Sequence, residues 1–171
     1  MPCQKVAIIG MGNVLRGDDG IGVHIVQRLR SQKCNARIEL FDAGTDVWSL
    51  AAIMDRQWEK LILIDAVRPG SIHSAFLLAK WQDVNTGNSV SSGEHEASVC
   101  SVLRLLEQQG LCFENLWLLA IQPERMDYTM GLSSRLSKKL DYYCDLVLTQ
   151  ANSMPGTTIY NQLPIKMKGA Q

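Results

Sequence analysis

Three short runs that read as strands, at residues 6–9, 37–41 and 61–64, are each followed by a glycine or an aspartate: Gly10, Asp42 and Asp65. The first and third are unbroken, without the polar alternation of a half-exposed strand, and read as strands buried on both faces of a parallel sheet. Between the runs the spacing changes to a helical period. Ile21, Ile25, Val26 and Leu29 form one stripe within 20–30, and Val47, Leu50, Ile53 and Met54 form another within 47–58. Strand, helix, strand, helix, strand is the order that builds a parallel sheet through right-handed crossovers. Further along, 75–78 reads as a short strand and 83–93, rich in Asn, Ser, Thr and Gly, as a loop. A helix is expected over 99–109, ended by Gly110. A last strand follows at 116–121, stopped by Pro123, and a last helix at 133–148 buries Leu136, Leu140, Tyr143 and Val147.

A chain of 171 residues that is 46% hydrophobic can bury one sizeable core. One domain is expected over 1–150, followed by a loosely ordered tail over 151–171, where prolines and polar residues give no period. Lys plus Arg and Asp plus Glu balance at 17 each, and no basic stripe recurs, which argues against nucleic acid or a charged membrane surface as partner. The apolar stretch before Gly10 is too short for a signal-peptide core and the run at 116–121 too short for a membrane span, so the expected location is the cytoplasm. Five scattered cysteines with no Cys-x-x-Cys pair read as small core residues in a reducing compartment. Cys100 and His95 stand five apart, a spacing that does not stack two side chains on a helix, so no catalytic dyad is read there.

The chemistry concentrates between the first strand and the first helix, in Gly10-Met11-Gly12-Asn13-Val14-Leu15-Arg16-Gly17-Asp18-Asp19-Gly20-Ile21-Gly22. An acid at a helix start is a good cap. A second acid, flanked by glycines where better helix formers would cost less, marks a close approach to the backbone. Two carboxylates would repel a phosphate there, yet suit a cation or a proton. Ligands of parallel sheets bind beyond the carboxyl ends of the strands, and Asp18 and Asp19, Asp42, Asp65 and His95 all fall at that edge. Carboxylates with one imidazole suit a hard to borderline divalent metal, nickel or zinc included. His24 and His73 have no such company and read as structural.

Several ordered motifs make the chain resemble the nickel–iron hydrogenase maturation endopeptidases: Gly10-x-Gly12-Asn13-x-Leu15-x-x-Asp18-Asp19-Gly20-x-Gly22, Asp42-Ala43-Gly44-Thr45, Ile64-Asp65-Ala66, His95, Ile121-Gln122-Pro123-Glu124 and Gly131-Leu132-Ser133. The likeness covers residues 8 to about 136. It departs at Ala43, Val47 and Ala120, where the family often has glycine, and at Glu96. The resemblance implies a three-layer α/β/α fold with a mostly parallel sheet of about five strands. It also implies a protease that removes the C-terminal extension of the hydrogenase large subunit after nickel insertion, with Asp19, Asp65 and His95 as the metal-contacting trio. On that reading the nickel arrives with the precursor of the large subunit, and no tightly bound cofactor of the enzyme's own is expected. Asp42 is expected to assist, Gln122 to orient the substrate, and Asp18 to be chiefly a turn and cap residue, so that Asp18→Asn loses far less processing than Asp19→Asn.

No partnered Ser, Cys or Thr nucleophile is evident in the sequence, so hydrolysis calls for activated water, by a carboxylate base or a metal. Two other classes compete. A dinucleotide-binding module would need a third glycine where Leu15 stands and would not place two acids where a pyrophosphate docks. A receiver-like phosphoacceptor would need a lysine after the last strand, where Gln122 and Pro123 stand.

Overall fold

The computed structural model describes residues 5–67, 75–85 and 99–154. Five strands form one sheet: β1 (Val6–Met11), β2 (Ile38–Gly44), β3 (Lys60–Ala66), β4 (Phe76–Lys80) and β5 (Leu116–Ile121), in the order β2-β1-β3-β5-β4. The first four positions of that order run parallel, and β4 closes the β5 edge antiparallel. Helices α1 (Ile21–Arg30) and α5 (Ser134–Asn152) cover one face; α2 (Val47–Met54), α3 (Trp81–Asn85) and α4 (Val99–Gln108) cover the other. The expected three layers are present.

Three boundaries differ from the sequence reading in ways that bear on packing. α2 stops at Met54 rather than continuing to Trp58, whose indole N–H donates to the Ile53 carbonyl at 2.7 Å and whose ring meets Phe41 edge-to-face. That bond satisfies an acceptor at the helix end, and the ring packs on β2 instead of extending the helical stripe. Residues 83–85 belong to α3, which buries Trp81 and Val84, so the expected loop does not begin at 83; residues 86–98 lie outside the described structure. α5 continues to Asn152 with Ala151 buried, two residues past the expected start of the tail, and 155–171 lie outside the described residues.

Strand alternation decides which face each side chain serves. In β3, Ile62 and Ile64 enter the core under α1 and α5, whereas Leu61 and Leu63 enter the core under α2 and α4. Asp65 continues the second series. In β2, Ile38 and Leu40 point toward α1 and Phe41 and Ala43 away from it, so Asp42 falls on the α1 side.

The start of α1 is pressed into the sheet where β1 ends. A Cβ on Gly22 would collide with the carbonyl oxygens of Met11 and Ile64, and one on Gly10 with the carbonyl of Gly22. Only glycine permits that approach, and it brings the turn before α1 directly over the end of β3.

That turn is a single 3₁₀ turn, Gly17–Gly20, and its first acid is fully buried. Asp18 does not cap the helix. One of its oxygens accepts from the Ser133 N–H at 2.6 Å, and the other accepts from Glu124 N–H at 2.8 Å and Arg125 N–H at 3.1 Å. Burial alone would raise its pKa, but the N–H groups of Ser133, Glu124 and Arg125 outweigh it and hold the carboxyl below its ordinary range. Ser133 is in turn the N-cap of α5, its Oγ accepting from Leu136 N–H at 3.3 Å. At the far end of α5, the buried Lys60 ammonium donates to the Gln150 carbonyl (2.6 Å) and to the carbonyl and hydroxyl of Ser153 (2.9 Å each), so β3 holds the helix terminus.

The cap role expected of Asp18 is therefore corrected, and an amide in its place would turn its NH₂ on one of the three donors. Asp18→Asn should lower stability at pH 7 by about 2–4 kcal/mol, one charged hydrogen bond lost and one donor orphaned. Because the folded carboxyl titrates below the unfolded one, its contribution is complete above the unfolded pKa of roughly 3.9 and disappears as pH falls through the folded value. Urea unfolding at pH 7 and pH 3 should show the gap between wild type and variant closing in acid. Equal stability at pH 7 would refute the role.

Candidate active site

Asp19, next to the buried Asp18, faces the other way. It is half-buried, and one oxygen accepts from the Asn13 N–H at 2.9 Å, which ties the turn back onto the end of β1. Asn13 tightens the same loop by accepting from Leu15 N–H at 2.9 Å. Gly12 has a φ of 118°, and a Cβ there would strike the Asp19 carbonyl, so glycine is required twice over. The glycines thus pack the turn against itself rather than cradling a ligand's phosphates.

Asp65, at the end of β3 beside Ala120 of β5, is half-buried. Its carboxyl is pushed up to about 8, first by burial and then by the negative charge of Asp19; the Ala66 N–H opposes the shift. The Asp19 carboxylate therefore lies close enough to act on Asp65. At neutral pH Asp65 keeps its proton, which a divalent cation could replace.

His95, the third member of the expected trio, lies outside the described residues, as does His73. α4 begins at Val99, on the Asp65 face of the sheet, and leads through a short connection into the start of β5. Its N-terminus therefore lies at the carboxyl edge of the strands. Among the described residues no group of three or more His, Cys, Asp or Glu side chains is placed to hold a metal ion.

Asp42 is at the expected edge but on the opposite face. Its side chain accepts from Gly44 N–H at 3.1 Å, and its charge acts on His24 of α1, partly offsetting the burial that lowers the His24 pKa. His24 thus has an acidic neighbour that the sequence reading did not assign, and Asp42 lies away from Asp65. Gln122 follows β5, with its N–H on the Ala75 carbonyl (2.9 Å) and its carbonyl accepting from Arg135 (3.1 Å). Cys144 is buried, its thiol pushed up to about 12 chiefly by that burial, and Cys34 and Cys100 are half-buried; Cys112 is exposed, against expectation. Cys3 lies outside the described residues.

The second wall of this edge is the segment 122–133, which the sequence reading treated only as motif fragments. Gly17 N–H donates to the Thr129 carbonyl at 2.7 Å and Asp18 N–H to the Arg125 carbonyl at 3.1 Å, so the segment is bonded along the 3₁₀ turn. The signal for it was the invitation of a buried acid to distant N–H groups, which no local pattern reveals.

A family model described as hydrogenase maturation protease matches residues 23–150. The chain is similar to the hydrogenase 2 maturation protease of Escherichia coli, 25% identical over 151 residues that cover 85% of this chain and 89% of that protein. It is similar in structure to the hydrogenase maturating endopeptidase HybD of E. coli, with a TM-score of 0.66, 26% identity, and coverage of 85% of this chain and 91% of the other. The hydrogenase maturation protease HycI of Thermococcus kodakarensis shares the fold at a TM-score of 0.65 and 19% identity, over 88% of this chain and 94% of the other.

An acid whose folded pKa is raised makes the folded state bind the extra proton, so stability falls as pH rises from the unfolded value toward about 8. Asp65→Asn, which needs no proton, should therefore raise the melting temperature at pH 7–9 and flatten its decline with pH. Calorimetric melts at several pH values test this; a variant that melts lower than wild type at pH 8 would contradict the burial and charge account.

Proposed function

Because the chain belongs to the hydrogenase maturation protease family and is an endopeptidase, we propose that its substrate is the precursor of a nickel–iron hydrogenase large subunit. Cleavage removes that subunit's C-terminal extension after nickel insertion. The enzyme recognises the nickel in the substrate through Asp19, Asp65 and His95 and carries no resident metal of its own.

The observation that supports this reading is the pairing of Asp19 with Asp65 at the carboxyl edge of the sheet, where burial and the negative charge of Asp19 keep a proton on Asp65. Oxygen donors of this kind, with an imidazole, suit nickel. Two or three protein donors leave positions that the substrate's own ligands fill, so the protein alone holds nickel weakly. The direction of α4 supports His95 as the imidazole, because Val99, the first residue of that helix, stands at the edge where Asp65 ends β3. Among the described residues no helix is long and apolar enough to cross a membrane.

The test is an SDS gel shift of the large-subunit precursor, prepared with and without nickel. The loaded precursor should be cut and the unloaded one resist, and adding nickel to the enzyme should not rescue it. Asp19→Asn and His95→Ala should each slow processing of the loaded form roughly 100-fold or more, beyond what supporting residues of a metal site typically cost. Purified enzyme should retain less than stoichiometric nickel or zinc after dialysis. Equal cutting of the two precursors would overturn the nickel-reading mechanism.

A further inference from the structure

Seven large apolar side chains are exposed among the described residues, and four of them, Leu15, Trp48, Tyr128 and Met130, stand on connections that leave the carboxyl ends of strands. The other three are scattered over α4, α5 and the residues after α5. Single exposed apolar residues are ordinary, but several gathered at one edge mark a surface that a partner covers. Trp48 is 84% exposed, Tyr128 87% and Met130 76%, so none of the three supports the core.

The two groups lie on opposite sides of the acids. Trp48 follows β2, in the first turn of α2, whereas Tyr128 and Met130 follow β5 and flank Thr129, whose carbonyl is bonded to Gly17. In the order β2-β1-β3-β5, Asp65 on β3 falls between them, with Asp19 beside it. Neighbouring strands are spaced by about 4.8 Å, so β2 and β5 are roughly 14 Å apart, the length of about four or five residues of extended chain. Tyr128 is also held in place, with the Arg16 guanidinium 5.7 Å from its ring centroid. A braced aromatic ring loses little freedom on binding and makes a good anchor.

Resting on the proposed function, we propose that these residues select the substrate chain. The precursor crosses the sheet edge in extended form with its scissile bond above Asp19 and Asp65. One apolar side chain on one side of the cut seats on Trp48, and another on the other side seats on the platform of Leu15, Tyr128 and Met130. The occupant is a polypeptide because the family's reaction cuts one, and Tyr128 and Met130 flank Thr129, which is bonded to the turn that carries Asp19.

The experiment measures initial rates of cleavage of the nickel-loaded precursor by wild type, Trp48→Ala, Tyr128→Ala and Met130→Ser, with Leu105→Ser on α4 as control. The three rim variants should each raise KM roughly tenfold, as loss of an anchor residue does, with kcat changed less than twofold and melting temperature unchanged. Leu105→Ser should match wild type. If wild type cuts the precursor and the rim variants keep its KM, this inference is wrong while the assigned substrate stands; if wild type does not cut it, the proposed substrate itself fails. Sedimentation of the same proteins adds one more arm. A wild-type dimer that Trp48→Ala dissociates without a change in KM would assign the rim to self-association and overturn the proposal.

Discussion

Asp18 brings a negative charge out of water and binds it to three backbone N–H groups, two of them 106 and 107 residues away and the third 115. That single carboxylate joins the turn after β1 to the segment after β5 and to the N-cap of α5, and the Gly17 and Asp18 N–H groups reinforce the junction by donating to the Thr129 and Arg125 carbonyls. Each bond to the ionised group is stronger than a neutral one, and together they outweigh the burial that disfavours the charge. The consequence for the edge is geometric. With Asp18 directed inward, the short 3₁₀ turn leaves Asp19 at the mouth, above the end of β3. Two adjacent, chemically identical residues are thus separated into one bound inside the protein and one left at the sheet edge by the direction in which one tight turn presents them.

The close approach of α1 to the sheet complements this. Gly10 and Gly22 let helix and strand backbones meet where any side chain would hold them apart. The same glycine-rich pattern in a dinucleotide-binding module opens space for a pyrophosphate. Here the space is filled by the protein's own carbonyls, and the acids occupy the place where helix amides would receive an anion. The glycine pattern alone does not distinguish the two uses; the neighbouring aspartates do.

The strands and most helices were legible because apolar period is a local property, and so was the edge on which the acids gather, because parallel strands all end on one side. The face was not. Asp42 and Asp65 both terminate strands, yet Asp65 shares parity with Leu61 and Leu63, and Asp42 with Ile38 and Leu40, which sends them to opposite sides of the sheet. Parity is visible in a sequence only once one knows which helix covers which face. The end of α2 was misplaced for a related reason: Trp58 fits the helical stripe, but its ring gains more against Phe41 across the fold. Asp18 was read as a cap since its partners lie in a segment that has no periodic signal. His95 and the residues around it lie outside the described structure, so that member of the trio still rests on sequence.

Three buried or half-buried charged groups show how the fold treats such groups. Asp18 has three N–H donors, and Lys60 has three acceptors at the end of α5. Asp65 has the Ala66 N–H and, instead of a cation, the negative charge of Asp19 facing it. A scaffold that satisfies a buried carboxylate in one strand connection and a buried ammonium at the opposite edge has the means to satisfy Asp65 as well. A lysine or arginine at the end of β5 would do so, and that position holds Gln122. A strongly perturbed acid left uncompensated beside a second acid, at the open end of a well-satisfied sheet, is the arrangement expected where a ligand supplies the missing positive charge. The exposed apolar rim on either side of them fits the proposed substrate, because both features lower the stability or solubility of the free protein and both would be relieved by one event, the arrival of a polypeptide that carries a cation.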